Sequence, residues 1–338
     1  MRDFQSDIIH AAMAGEPVPA SDFSWSPLRH WVFHFCRRAY FIRYYLAQGG
    51  WNIHSHPLAR TAYLEKYLPS VTEWMGTAFE KAAGDAIRKA VLRNGADARR
   101  MEFSCALARG LERAVSALRQ GLECRDYLND PKLPGLREAY REEPEFLDRN
   151  LDRRMAEIAG VFGSACAVLL QSGFMELIER LDFMDFRLDE RFLQIPRRDF
   201  PVWLHAGILC FDAGAVTMFR FRHEPAPGDM APLPDSLRME NTLFCEYAAL
   251  RWKGLAAACS TFLFAPESAG LRLSPPELPT DDIIEVSSRA MLSLIDGAGR
   301  VSDTDFPETE DREKCARCPF LRTCGMLRGF REKHPCRS

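Results

Sequence analysis

The stretch RFLQIPRRDFPVWLHAGILCFDAGAVTMFRFRHE, Arg191 to Glu224, limits the fold most, because there the apolar spacing changes from helical to alternating. Val202, Leu204, Ile208 and Cys210 predict one strand, Asp212 to Gly214 a hairpin turn, and Val216 to Arg222 the returning strand. The sequence on both sides is helical, so the hairpin must find its cover among helices. That requirement gives an α/β or α+β core with a large helical elaboration.

Residues 1–24 carry little periodic apolar structure and read as an N-terminal arm or one short helix, with a single domain spanning 25–338. Leu28, Val32, Phe35, Tyr40 and Tyr44 recur at helical spacing, and Gly49-Gly50 supplies a stop. A second helix is expected from about Pro69 to Gly95, carrying Trp74, Ala78, Ala82, Ile87 and Val91. A helical insertion follows over about 99–181, interrupted near LNDPKLPG. After the hairpin come a Pro-rich loop, a helix in SLRMENTLFCEYAALRWKG, strands at TFLFAP and Leu271 to Leu273, and a helix in DDIIEVSSRAMLSLIDG. No repeat of fixed period is present.

With 338 residues, 47% hydrophobic content and a formal charge of -3, the chain has the balance of a soluble globular protein without a basic coat. Any nucleic-acid contact must then come from a local patch. The N-terminus lacks the basic and apolar regions of a secretory signal, and the uncharged run Ile158 to Met175 is broken by glycines and polar residues. The expected setting is the cytosol, away from membranes. Eleven cysteines are there unsuited to a disulfide framework.

Cys315, Cys318 and Cys324 lie within ten residues of one another in EKCARCPFLRTCGMLRGF. A C-x2-C pair with a third thiol close by suits a metal or cluster site, and the structural alternative is a set of reduced thiols. Three ligands leave a fourth to be found, and Cys36, His334 and Cys336 are candidates.

SPLRHWVFHFCRRAYFIRYY resembles the N-terminal stretch of the iron-sulfur nucleases of the PD-(D/E)XK superfamily, which includes RecB-like, AddB-type and CRISPR-associated exonucleases. FPETEDREKCARCPFLRTC is similar to their C-terminal cluster segment, and the order of elements between them matches from about Ser24 onward. The resemblance implies a mixed sheet flanked by helices. It also implies a 4Fe-4S cluster held by Cys36, Cys315, Cys318 and Cys324, joining the two ends of the domain, with zinc as the alternative metal.

Phosphodiester hydrolysis in that superfamily uses hard oxygen ligands for magnesium with a lysine beside them. Carried onto this sequence, the helix position is Glu80, the strand aspartate is Gly207, and the acid and lysine of the next strand are Arg220 and Arg222. Losing two carboxylates and gaining cations disfavours magnesium. The resemblance therefore implies a protein that does not cut, acting as a nucleic-acid-binding or structural subunit of a DNA-processing or defence complex beside a helicase or nuclease.

Two alternatives are an active exonuclease with migrated ligands Glu80, Asp212 and Glu224, and a pure interaction scaffold. Arg220 and Arg222 share one face of a strand and could grip a phosphate or pair with acids such as Glu80. Arg37 and Arg38, with Arg43, Tyr40, Tyr44 and Tyr45, form an aromatic and basic stretch suited to nucleic acid, or to a core. Arg322, Arg328, Arg331 and Lys333 add charge near the cysteines, and His54-x-His56 is a weaker metal pair. No phosphate-binding P-loop, dinucleotide fingerprint or Ser/His/Asp arrangement is present.

Overall fold

The computed structural model describes residues 4–14, 16–48, 50–141, 144–180, 186–187, 192–212, 214–223, 233–265, 269–273 and 280–333. The N-terminal part contains α1 (Phe4–Ala14), β1 (Val18–Pro19), α2 (Pro27–Phe35), α3 (Arg37–Phe41) with a π-helical turn at Ile42–Leu46, and α4 (Pro57–Tyr67). Next come α5 (Val71–Ala90), α6 (Ala96–Cys124), α7 (Arg137–Arg141), α8 (Pro144–Leu170) and α9 (Phe174–Arg180). The sheet region follows with β2 (Phe186–Arg187), β3 (Phe192–Ile195), β4 (Val202–His205), β5 (Ile208–Asp212), β6 (Ala215–His223), α10 (Leu233–Arg251), β7 (Ala256–Phe264) and β8 (Ala269–Leu273). The chain closes with α11 (Thr280–Leu292), β9 (Arg300–Val301), α12 (Arg312–Arg317) and α13 (Leu321–Lys333).

The fold is mixed α/β and mostly helical. Its main sheet runs in the order β2-β5-β6-β7-β8. β5 and β6 form the expected hairpin, closed by the Asp212↔Ala215 pair. β6 and β7 are parallel, which requires a crossover, and α10 supplies it. One sheet face packs on α5, where the Phe79 ring lies 5.5, 5.9 and 5.0 Å from those of Phe221, Phe262 and Phe264. The other face packs on α10 through Val216, Met218 and Cys259 against Met239, Leu243 and Phe244.

Local signals explain several boundaries. Ser70 and Glu73 form a reciprocal capping box that starts α5. Ser26 caps α2, with Pro27 in the first turn. His56 accepts from the Leu58 N–H through Nδ1 at the start of α4, so its ring is an N-cap. α4 itself falls in sequence that gave no helical expectation.

Two further departures matter for the site. The single strand expected over Val202 to Cys210 is two strands: β4 pairs with β3 in a separate sheet, while β5 joins the main one. The helix expected through Leu28 to Tyr44 breaks at Cys36, whose φ of -162° and ψ of 121° are extended. Leu28 consequently faces outward, 45% exposed.

Residues 4–19, read as an arm or a short helix, contribute both α1 and β1. Ile8, Ile9, Ala12 and Val18 are buried, and β1 pairs with β9. They join α2, α3, α4 and the C-terminal segment around Phe306, Phe320 and Leu327 in a second core, so distant parts of the chain share one lobe. The helical insertion forms a third packing region continuous with the α5 face of the sheet. Among the described residues no single helix is long and apolar enough to cross a membrane.

Candidate functional site

The Gly207, Arg220 and Arg222 positions meet Glu80 where the sheet forks. β5 begins at Ile208 opposite Phe219, so the edge of β6 beyond that pair is left without a neighbouring strand. α5 approaches closely there, because a Cβ at Gly76 would already lie 3.4 Å from the backbone of Phe221, Arg222 and His223. Glu80 is one turn further along that helix face, and its Oε2 accepts the Phe221 N–H at 3.1 Å. The carboxylate thus takes the place of the missing strand.

The same Oε2 accepts from Arg220 Nε at 3.2 Å, and Arg220 Nη1 donates to the His205 carbonyl at 2.9 Å. Glu240, from α10, lies 3.6 Å from Arg220 Nη1 and accepts from Arg222 Nη2. Arg220 is 8% exposed and Glu240 6%, so two cations and two carboxylates close a nearly dry network. Burial works against the Arg220 charge, but Glu80 and Glu240 outweigh it and raise its pKa. Burial also opposes the Glu240 charge, yet Arg222 and Arg220 bring its pKa below the ordinary carboxylate value.

Gly207 is part of this arrangement. A Cβ there would overlap the Phe219 carbonyl oxygen and stand 2.5 Å from Arg220 Cδ. The absence of a side chain at 207 is therefore what lets the Arg220 stem cross the fork towards Glu80. Positions 207 and 220 are sterically coupled. Glu240 completes the network but carried no sequence signal, since its approach depends on how α10 lies across β6 and β7.

Asp212 is exposed at the hairpin end of β5, five residues from the fork, or about 17 Å along a strand. Glu224 lies outside the described residues. His54 is exposed in the loop before α4, with its backbone N–H donated to Asn52 Oδ1.

The four cysteines selected from the sequence converge. Cys36, Cys315, Cys318 and Cys324 all line one cavity of about 390 Å³ between α3, α12 and α13. The extended backbone at Cys36 separates α2 from α3 and turns that residue into the cavity. Cys318 ends α12 in an extended conformation, and its Sγ accepts the Phe320 N–H at 3.4 Å. Burial pushes the Cys318 and Cys324 thiols up to about 12, so without a metal both are protonated at neutral pH. Among the described residues, no three His, Cys, Asp or Glu side chains close on the position of a single metal ion. His334 and Cys336 fall outside the described residues.

Arg38 is buried beside the cysteine cavity. Its Nη1 pairs with Asp303 Oδ2 at 2.9 Å in a buried bridge that ties α3 to the segment after β9. Arg37 is exposed, its guanidinium 5.2 Å from the Phe33 ring.

Glu65 fixes the other side of the lobe. It is fully buried on α4 and accepts the Arg322 and Thr323 N–H groups and the Thr323 hydroxyl, capping the start of α13 from across the chain. Burial raises its pKa, and the Thr323 contacts oppose that rise. Glu65→Ala is expected to lower stability by roughly 2–4 kcal/mol, because three donors lose a buried acceptor. An equilibrium denaturation midpoint equal to that of the parent would contradict this role.

No protein-family model and no curated protein matches the chain. Among solved structures, the crystal structure of SSO0001 is similar over 63% of this chain and 85% of its own, at a TM-score of 0.28 and 10% identity, too loose a likeness to carry an argument.

Proposed function

We propose that this chain is a non-cutting, iron-sulfur PD-(D/E)XK nuclease-like protein that serves as a structural subunit of a cytosolic DNA-processing or defence assembly. The observation that carries this reading is the Arg220, Glu80, Glu240 and Arg222 network at the sheet fork. Hydrolysis would need hard oxygen ligands free to take magnesium there. Instead, one resident carboxylate is held by Arg220 and the other by Arg220 and Arg222. Each guanidinium repels a divalent cation, so this chain stabilises its own fork with the charges that would otherwise serve chemistry.

The donor chemistry of the second centre supports the iron-sulfur part. Four thiols lining one cavity are soft ligands of the kind such a group takes. Cys36, Cys315, Cys318 and Cys324 would hold it, losing protons as they bind. A 4Fe-4S group supplies a cross-link between the N-terminal and C-terminal parts of the lobe. The chain's own contribution is to hold the four sulfurs in place: Arg38 with Asp303 on one side, Glu65 under α13 on the other.

A nucleic-acid role is favoured by one further feature, the exposed arginines Arg37, Arg312 and Arg317 around the cysteine segment. Arg220 and Arg222 could grip a phosphate only by leaving their carboxylates. The test is cleavage of labelled single- and double-stranded DNA with magnesium or manganese. No cleavage is expected. Metal-dependent cleavage that disappears in Glu80→Ala would sink the non-cutting reading.

A further inference from the structure

Three cations gather beside the aromatic helix without a carboxylate to balance them. Arg29 is 4% exposed; its Nε donates to the Tyr40 hydroxyl at 2.9 Å and its Nη1 to the Ser24 carbonyl at 2.8 Å. Its guanidinium lies 4.4 Å from the Tyr44 ring centroid, and its buried Nη2 has no hydrogen-bond partner. Arg43 approaches the same ring at 6.0 Å, donates from Nη1 to the Lys66 carbonyl at 3.3 Å, and has a buried Nε with no partner. Lys66 lies 5.2 Å from the Tyr67 ring.

Among the described residues none of the three makes an ion pair. The acid nearest in effect, Glu73, is taken by Arg137 at 2.9 Å and by the Ser70 N–H. Tyr40 and Tyr45 stay neutral, since burial raises both hydroxyls. Burial first, then the charges of Arg43 and Arg29, lower Lys66 to about 8, and Arg43 reaches the Lys66 backbone carbonyl directly. Buried guanidinium nitrogens left without acceptors are costly, and an ordered water or a bound anion is what satisfies them.

We propose that Arg29 and Arg43, both at the Tyr44 ring, form with the neighbouring Lys66 a binding site for a phosphate group. Arg29 is the buried member, placed by Tyr40 and Ser24, and Arg43, Tyr44 and Lys66 are the half-buried members that solvent reaches. A tetrahedral dianion or a strand diester offers several acceptor oxygens at once, matching free donors on two forks and an ammonium. The site stands apart from the sheet fork, and the inference does not rest on the non-cutting or iron-sulfur readings.

The test uses the intact protein and the variants Lys66→Met and Arg43→Gln, which spare the buried Arg29. Inorganic phosphate is titrated against chloride at matched ionic strength, reading the thermal midpoint. A labelled single-stranded oligothymidylate is followed by anisotropy, with and without competing phosphate. The expected result is a phosphate-dependent rise in the parent, with roughly tenfold weaker binding in each variant. If phosphate also displaces the oligonucleotide and both variants weaken it, the physiological source is a nucleic-acid backbone. If oligonucleotide binding ignores the variants, the source is a free phosphate or monoester. Identical behaviour of parent and variants towards both probes would overturn the site.

Discussion

Gly207→Asp is expected to destabilise the protein by roughly 3 kcal/mol or more and to restore no metal-dependent cleavage. The substitution places an aspartate where the resemblance expects one, yet Arg220 and Arg222 remain at the other two positions. The geometry sets the cost. The new Cβ would overlap the Phe219 carbonyl oxygen and stand 2.5 Å from Arg220 Cδ, and one of those obstacles is backbone that cannot rotate aside. Arg220 would be forced out of the fork, leaving Glu80 and Glu240 facing each other with less cation between them. Denaturant unfolding and the DNA cleavage assay check both halves. An unchanged midpoint would show that the fork is more open than its distances imply, and new cleavage would show that position 207 alone withheld activity.

Cys315→Ser is expected to abolish broad visible absorbance and to cost up to about 5–6 kcal/mol of stability. The figure follows from treating the bound group as a cross-link, because Cys36 to Cys315 closes a loop of roughly 280 residues in the unfolded chain. Contacts that persist in the unfolded state reduce it. Cys105→Ser, at an exposed position on α6, serves as the control and should change neither property. Iron and sulfide counts on anaerobically prepared protein complete the experiment. A colourless protein carrying zinc would contradict the iron-sulfur assignment, and full stability in Cys315→Ser would contradict the cross-link whatever the metal.

These two centres differ in how far the sequence announces them. The cysteine spacing is local, and Cys36 was reached through resemblance; the cavity they share agrees with that grouping. The long helices were legible because propensity, periodicity and caps agree, as in Ser70 and Glu73 at the start of α5. The fork was not. Val202, Leu204, Ile208 and Cys210 are all buried and keep even spacing, so nothing in the sequence marks the change of sheets at Ala206 and Gly207; only Leu209, buried as well, departs from the alternation. The break at Cys36 was equally silent: helical spacing continued across it, and only packing against the C-terminal segment holds that residue extended. Glu240 reaches its partners from another part of the chain, and so does Lys66, whereas Arg43 and Tyr44 stood out in the sequence as part of an aromatic and basic stretch whose use the spacing left open.

The lobe that gathers the cysteines also has a temporal consequence. Its core joins Ile8, Val18 and Tyr40 to Val301, Phe306 and Phe320, and β1 pairs with β9. Leu58, Ala59 and Ala62 cover part of residues 8–46 early, and Trp25 packs on Val202, but the core around Ile8, Val18 and Tyr40 closes only when residues 300–327 have been made. The helical insertion and the sheet can condense in the interval, being complete by residue 273. Residues 8–46 thus precede the sheet in the chain yet complete their packing after it, and apolar surface left open in that interval is where a nascent chain is exposed to misassembly.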